Sequence, residues 1–116
     1  MSTAALAIFE RETETGGIAL TFPLVALGVA YLGLGASEHA LPVLERAATI
    51  REQAETDSVL LGEAHFALAR ALLAVGKDVP RAWSLAEQSR VDYARAGLDA
   101  AGALARVEAW LTRDPR

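Results

Sequence analysis

The residue types that most often carry catalysis or bind metals are sparse in this sequence. It contains two histidines, His39 and His65, and no cysteine. Neither histidine has a carboxylate or a second histidine three or four residues away, the spacing that places two ligands on one helical face. We therefore expect His65 to be a packed core residue. The lack of cysteine excludes disulfides, zinc–thiolate sites and cysteine nucleophiles.

Two serines and a glycine pair are the other groups that could suggest chemistry. Ser37 and Ser58 are better explained as helix caps than as nucleophiles, because no histidine and acid complete a triad with either of them. The segment Gly33-Leu34-Gly35 ends a helix, whereas a dinucleotide-binding loop follows a strand. The sequence therefore predicts no catalytic residue, no cofactor and no metal site, and we do not expect an enzyme.

Charged residues are interspersed along the chain and are not clustered. Eleven basic and fifteen acidic residues give a formal net charge of −4. No basic stripe is present that could follow a phosphate backbone, so nucleic acid is not expected as a partner. The first residues lack the positively charged region and the cleavage site of a signal peptide. Together with the absence of cysteine, this favours a cytoplasmic protein.

The composition and the spacing of apolar residues predict an all-α protein. Hydrophobic residues make up 53% of the chain and aromatic residues only 6%, and alanine is frequent, which is typical of closely packed helices. Apolar residues recur at intervals of three and four, and no stretch alternates long enough to predict a strand. We expect one domain, 1–116, with antiparallel neighbours joined by short loops. Six helices are predicted, over 3–13, 20–35, 38–55, 58–76, 79–96 and 99–112.

An internal repeat organises these helices. The segment Glu14–Leu20 resembles Glu55–Leu61, which follows it by 41 residues, and the correspondence continues through Gly35 and Gly76. Further upstream, the correspondence of 8–10 with 50–52 has an offset of 42. A period of this length with helical spacing indicates stacked helix pairs. The units are a partial unit at 3–13, repeat 1 at 20–55, repeat 2 at 58–96 and a capping helix at 99–112.

Residues at the predicted helix ends agree with these boundaries. Gly35 and Gly76 are expected to adopt the left-handed conformation that ends a helix. Ser37 is placed to cap the helix that follows, and Asp57 or Ser58 to cap the next one. Asp78 with Pro80 is expected to begin the helix after Gly76, because proline is tolerated in a first turn.

One uncharged run could be mistaken for a membrane span. Residues 15–37 contain no charged side chain, and the run is long enough to cross a hydrocarbon core. However, Pro23 interrupts its first third, and the corresponding stretch of repeat 2, 56–78, carries charges such as Glu63 and Arg70. We expect a buried helix and no membrane partner. A membrane-anchored protein with a span near 15–37 is kept as a remote alternative.

Repeat 1 resembles the tetratricopeptide repeat, which places apolar residues at eight positions across two helices. Glu52 stands where that pattern expects a proline, and repeat 2 has a one-residue insertion after Gly76. In residues 21–54 the matching residues are Leu24, Leu27, Gly28, Tyr31, Ala40, Leu44 and Ala47, and in repeat 2 they are His65, Leu68, Ala69, Leu72, Ala82 and Ala86. The resemblance implies antiparallel helix pairs stacked as a short right-handed superhelix of about six helices.

Three short segments are similar to the C-terminal repeat regions of large bacterial serine/threonine protein kinases. They are Ala-Leu-Ala-Ile-Phe-Glu-Arg at 5–11, Ala-Leu-Pro-Val-Leu-Glu-Arg-Ala at 40–47 and Val-Glu-Ala-Trp-Leu at 107–111. The sequence has no kinase glycine-rich loop, His-Arg-Asp or Asp-Phe-Gly segment. The resemblance therefore implies a non-catalytic scaffold or adaptor module cut from a larger signalling chain.

The resemblance also implies a binding groove, because the first helix of each pair lines the concave face of such arrays. A groove of this kind suits an amphipathic helix or an apolar peptide with a charged residue near one end. A clamp for a C-terminal carboxylate is not expected, because Val25 and Val29 occupy the positions of its polar residues. The predicted groove residues are Phe22, Val25, Val29, Leu32, Glu63, Phe66, Arg70 and Leu73.

Two further hypotheses concern contacts between proteins. Trp110 lies near the end of the chain and is a candidate interface residue, since tryptophan often anchors interfaces, whereas Trp83 is expected to be packed. The apolar face of repeat 1 could instead pair with a second copy of the chain, which makes homo-oligomerisation the alternative function.

Overall fold

The computed structural model describes residues 17–113, and all regular structure in this part of the chain is helical. Five α-helices and one 3₁₀ turn follow one another: α1 (Ile18–Gly33), α2 (Ser37–Gln53), α3 (Ser58–Val75), α4 (Val79–Ala96), the 3₁₀ turn (Gly97–Ala100) and α5 (Ala101–Arg113). The prediction of an all-α fold is confirmed. The predicted helix at 3–13 lies outside the described residues.

Within the described residues, every predicted helix boundary lies within two residues of the observed one. The helix predicted over 79–96 begins and ends as predicted, and α1, α2 and α3 each lie within two residues of their predicted ends. The last helix was predicted to begin at 99. It begins at Ala101 because the chain first forms the 3₁₀ turn, which starts at Gly97 with a φ of 76°.

Most of the predicted helix ends are confirmed. Gly35 and Gly76 both have a φ of 76°, which glycine adopts without steric cost. The Asp57 carboxylate accepts a hydrogen bond of 3.0 Å from the Leu60 amide and caps α3. The prediction for Ser37 was wrong: α2 begins one residue earlier than predicted, so Ser37 is its first residue and Ala36 holds the cap position without a side-chain hydrogen bond.

The helices pack in sequence order. Each helix contacts the next one along the chain, and α1 also contacts α3. Two glycines allow the closest approaches. A Cβ atom at Gly28 would overlap the side chain of Leu44, and one at Gly62 would lie 2.9 Å from the ring of Tyr93. These contacts bring α1 against α2 and α3 against α4 more closely than any larger residue would permit.

The core consists of two neighbouring clusters that share α3 and α4. The first is made mainly of alanine and leucine from α2 and α3, with Leu44, Leu68 and Leu72 as its largest fully buried side chains. The second joins α3, α4 and α5 around Tyr93 and Val107. Alanine at most of the contact positions keeps the helix axes close, and the leucines fill the remaining space.

The uncharged run at 15–37 does not form one continuous helix among the described residues. Helix α1 ends at Gly33 and has 16 residues, a length of roughly 24 Å, against a hydrocarbon core of about 30 Å. Within 17–113, only Ser58–Val75 is long and apolar enough to cross a membrane by length and composition. That helix, α3, is the central one, and α2 and α4 pack on it, so its apolar character matches its position in the core.

Candidate protein-binding groove

The predicted groove residues on α1 divide between the surface and the interior. Phe22 and Val29 are exposed, by 50% and 41%, and Leu32 is half-buried. Val25 is buried because it lies on the inward face of α1 that also carries Thr21 and Gly28. Its side chain is therefore not available to a ligand, and the prediction of Val25 as a groove residue does not fit the structure.

The predicted residues on α3 fall into two groups. Phe66, Arg70 and Leu73 are all half-buried. Glu63 is half-exposed, but its carboxylate is already engaged: the Arg51 Nη1 donates to Glu63 Oε1 at 2.8 Å. The negative charge expected in the groove is therefore balanced from within the protein.

One cavity brings three of the eight predicted residues together with Trp110. It has a volume of about 280 Å³ and is open to solvent. Residues of α1, α3 and α5 contribute to it together with the first residue of α2. Its lining residues are Leu32, Ser37, Arg70, Leu73, Ala74 and Trp110. Ser37 and Ala74 were not predicted, since Ser37 was interpreted as a cap. We call this feature the α1–α3–α5 cavity.

Two other aromatic rings pack against Trp110, one of the residues that line this cavity. The Phe66 and Trp110 rings meet edge to face with centroids 5.6 Å apart, and Trp83 lies 4.9 Å from Trp110. The Arg70 guanidinium carbon lies 5.6 Å from the Phe66 ring centroid, within the range of cation–π attraction. Trp110 is thus fixed by two other rings, and the groove wall that it forms is preorganised.

A buried arginine under the other end of α1 was missed by the sequence analysis. Arg51 has no solvent exposure. Its Nε donates to the Thr21 hydroxyl and its Nη1 to the Leu60 carbonyl oxygen, both at 2.9 Å. The ring of exposed Phe22 lies over the guanidinium at 5.1 Å, while Nη2 has no hydrogen-bond partner among the described residues. Arg51 therefore ties α2 to α1 and α3 at once.

A second buried polar network joins α2, α3 and α4 through His65. The ring Nδ1 lies 2.7 Å from Asp92 Oδ2 and Nε2 lies 2.8 Å from Glu52 Oε2. Both nitrogens can donate only when the ring is protonated. Asp92 is 2% exposed and also accepts a 3.1 Å hydrogen bond from Gln88. The expectation of a packed His65 is correct as to burial, but its two carboxylate partners were not predicted.

These polar groups link the helices of residues 17–113 to one another. Both His65 nitrogens face carboxylates, so neither is free to activate a nucleophile. The buried hydroxyl of Ser89 donates to the Gly62 carbonyl oxygen at 2.8 Å. No cluster of three potential metal ligands occurs among the described residues. Burial raises the pKa of Tyr93, because a charged phenolate is disfavoured away from water.

One exposed ion pair adds a further link between α2 and α4. Arg81 donates two hydrogen bonds to the Glu45 carboxylate, at 2.6 and 2.7 Å. The hydrogen bonding from Arg81 lowers the pKa of Glu45, and the same interaction raises the pKa of Arg81. Because both side chains are about two-fifths exposed, solvent screens the pair and its contribution to stability is small.

The outer face of α1 is apolar and uncovered in the described structure. Leu27 is 44% exposed, and Ala26 and Ala30 beside it are also exposed. Each of these three residues has a counterpart 41 residues later on α3. The counterpart of Leu27 is Leu68, which is only 1% exposed because α2 covers it. Within residues 17–113, no helix covers the face of α1 that corresponds to the one α3 buries against α2. No residue of α1 is charged.

Comparison with known proteins gives no further assignment. No protein-family model, no curated protein and no solved structure matches this chain. The likeness to tetratricopeptide repeats therefore rests on the sequence positions named above.

Proposed function

We propose that the protein is a non-catalytic protein–protein interaction module of the tetratricopeptide kind. It acts as a scaffold or adaptor and holds a peptide or helix of its partner in the α1–α3–α5 cavity and along the neighbouring groove. Its helix pairs stack as a short right-handed superhelix, as in the C-terminal repeat regions of bacterial serine/threonine protein kinases. The contact of α1 with α3 across the intervening α2 supports this stacking.

The observation that carries the proposal is the composition of the α1–α3–α5 cavity. Its walls are aliphatic at Leu32 and Leu73, aromatic at Trp110 and cationic at Arg70. An apolar surface with a few placed polar groups is typical of grooves that receive a helix or an extended peptide. The rings around Trp110 hold this surface in place before a ligand arrives, which reduces the cost of binding.

Peptides selected from a random library on the full chain test this function. Ala74 lines the cavity with an exposed side chain, so Ala74→Glu introduces a charge into the groove without disturbing the core. We expect this variant to weaken the binding of selected peptides by about tenfold or more, because a charge would be desolvated on binding. Ala94→Glu, at an exposed position of α4 outside the cavity, is the matched control. Failure to select any peptide on the wild-type chain would contradict the proposal.

Homo-oligomerisation is the second candidate, and the outer face of α1, which no residue of the described range covers, favours it. Two uncharged faces can pair without burying an unpaired charge, and Ala26 and Ala30 allow close helix contact. Under this hypothesis, light scattering over a concentration series should show the mass rising to that of a dimer. Leu27→Glu should restore the monomer, whereas Ala94→Glu should not. A monomer at every concentration rejects this function and leaves the groove hypothesis intact.

A further inference from the structure

Arg70 is a half-buried cation without a carboxylate partner among residues 17–113. Three other arginines in this part of the chain, Arg51, Arg81 and Arg90, form ion pairs with glutamates. The Arg70 guanidinium lies over the Phe66 ring, and no carboxylate of the described residues lies within 4.0 Å of it. It therefore differs from a solvated surface arginine, because part of its hydration is replaced by an aromatic face and aliphatic neighbours.

The surroundings of Arg70 determine the charge that a ligand needs. Glu63, the predicted groove acid, precedes Arg70 by seven residues on α3, roughly two helical turns, and Arg51 already balances its charge at 2.8 Å. The groove thus presents one uncompensated positive charge. The N–H groups of a guanidinium lie in its plane. The Arg70 guanidinium can therefore still donate hydrogen bonds from its edge while one of its faces contacts the Phe66 ring. Two parallel N–H donors on that edge match the two oxygens of a carboxylate. The Ser37 hydroxyl lines the same cavity and can add a third donor.

We propose that Arg70 makes the cavity selective for a partner segment that carries an aspartate or glutamate side chain beside an apolar residue. The carboxylate binds Arg70, and the apolar residue lies between Leu32, Leu73 and Trp110. This inference rests on the proposed peptide-binding function and names the chemistry of the peptide. The chain as a whole has a net charge of −4, which repels strongly acidic partners at long range. The selectivity is therefore for a single carboxylate in an otherwise apolar segment.

A charge-reversal selection tests the proposal. A random peptide library displayed on phage, with each peptide joined to the coat protein through its C-terminus, contains carboxylates only on side chains. It is selected in parallel on the full wild-type chain, on Arg70→Glu and on Arg95→Glu, which makes the same charge change at an exposed position of α4. We expect an aspartate or glutamate at a fixed distance from an apolar residue on the wild type and on Arg95→Glu. On Arg70→Glu the same position should become lysine or arginine.

One selected peptide is then used to measure how much the interaction with Arg70 contributes to binding affinity. Replacing its acidic residue with the corresponding amide should weaken binding to the wild-type chain by about tenfold to a hundredfold, the factor expected for a charge-assisted hydrogen bond. The same replacement should have little effect on binding to Arg70→Gln. Melting curves of each variant show that it is folded.

The selection distinguishes a failure of the proposed role of Arg70 from a failure of the peptide-binding function. If all three proteins select the same apolar peptides without a charge preference, the role of Arg70 is rejected and the peptide-binding function stands. If no peptide is enriched on the wild-type chain, the function itself is rejected, and the role of Arg70 with it. If Arg95→Glu reverses the preference as Arg70→Glu does, the selectivity arises from net charge and not from the cavity.

Discussion

Replacing Asp92 with leucine is expected to lower the free energy of unfolding by about 1 to 3 kcal/mol, the range for leaving a buried hydrogen-bonding group without its partner. Asp92 is 2% exposed and faces the Nδ1 atom of His65 at 2.7 Å. Without the carboxylate, this buried donor has no acceptor and no access to water. Urea denaturation followed by circular dichroism measures the change, provided that unfolding is two-state.

A double-mutant cycle shows whether the loss arises from the pair itself. His65→Leu alone leaves the Asp92 carboxylate buried with only Gln88 as a donor, so its cost should be similar. The double variant His65→Leu/Asp92→Leu removes both groups and should cost much less than the sum of the single changes. Glu52 does not change this expectation, because its side chain is half-exposed and can be hydrated.

The exposed pair between Arg81 and Glu45 serves as the control for Asp92. Arg81→Ala breaks two hydrogen bonds that are at least as short as the contact between His65 and Asp92. Both partners of this pair are, however, about two-fifths exposed. We expect a loss of at most about 1 kcal/mol, because water replaces the broken contacts. If Asp92→Leu were no more costly than Arg81→Ala, the network around His65 would not be a structural link between α2, α3 and α4.

The parts of the fold that the sequence predicts correctly are set by residues close together in the chain. The three-and-four spacing of apolar residues defined α1 to α4 within two residues of their ends, and Gly35, Gly76 and Asp57 formed the expected termini. Ser37 failed because capping depends on a single-residue register, which periodicity does not determine. The 3₁₀ turn was not predicted either, because it continues the path of a helix and differs from an α-helix mainly in its hydrogen bonding.

The buried polar networks were not predictable from spacing, because their partners lie on different helices. Thr21 and Arg51 are 30 residues apart, and His65 and Asp92 are 27 apart. A search for ligand pairs three or four residues apart examines one helix at a time. One signal was nevertheless available. His65 stands in an apolar stripe of its helix. Arg51 follows Ile50 on a helix that is expected to pack against the next one in the repeat. A polar residue that is buried at such a position needs a hydrogen-bond partner.

The groove prediction shows the same limit at the level of single residues. A position in a repeat predicts only a helix face that is several residues wide. Of the four residues predicted for the groove on α1, Phe22 and Val29 are exposed, Leu32 is half-buried and Val25 is buried. The repeat pattern also does not predict which charged side chain forms an ion pair with which. Glu63 and Arg70 lie on the same helix in the groove prediction, but only the ion pair from Arg51 to Glu63 shows that Arg70 carries the unbalanced charge.

Substituting valine for Gly28 is expected to lower the free energy of unfolding by about 1 to 3 kcal/mol through overpacking. Even the first side-chain atom at this position would overlap Leu44 on α2, which is itself fully buried. Either Leu44 must change its position within the packed core, or α1 must shift away from α2. For a domain of this size the change corresponds to a melting temperature lower by roughly 5 to 15 °C.

Gly33→Ala, in the same helix, provides the matched control for Gly28→Val. No atom lies within 4 Å of a Cβ added at Gly33, so alanine should stabilise the helix by about 0.5 to 1 kcal/mol through its lower backbone entropy. The two glycines of α1 should thus give effects of opposite sign. A shift of α1 in the Gly28 variant also moves Leu32 relative to Leu73, so peptides selected on the wild-type chain should bind it less tightly. An unchanged melting temperature for Gly28→Val would show that α1 does not pack on α2 in this register, and the cavity between α1, α3 and α5 would then lose one of its walls.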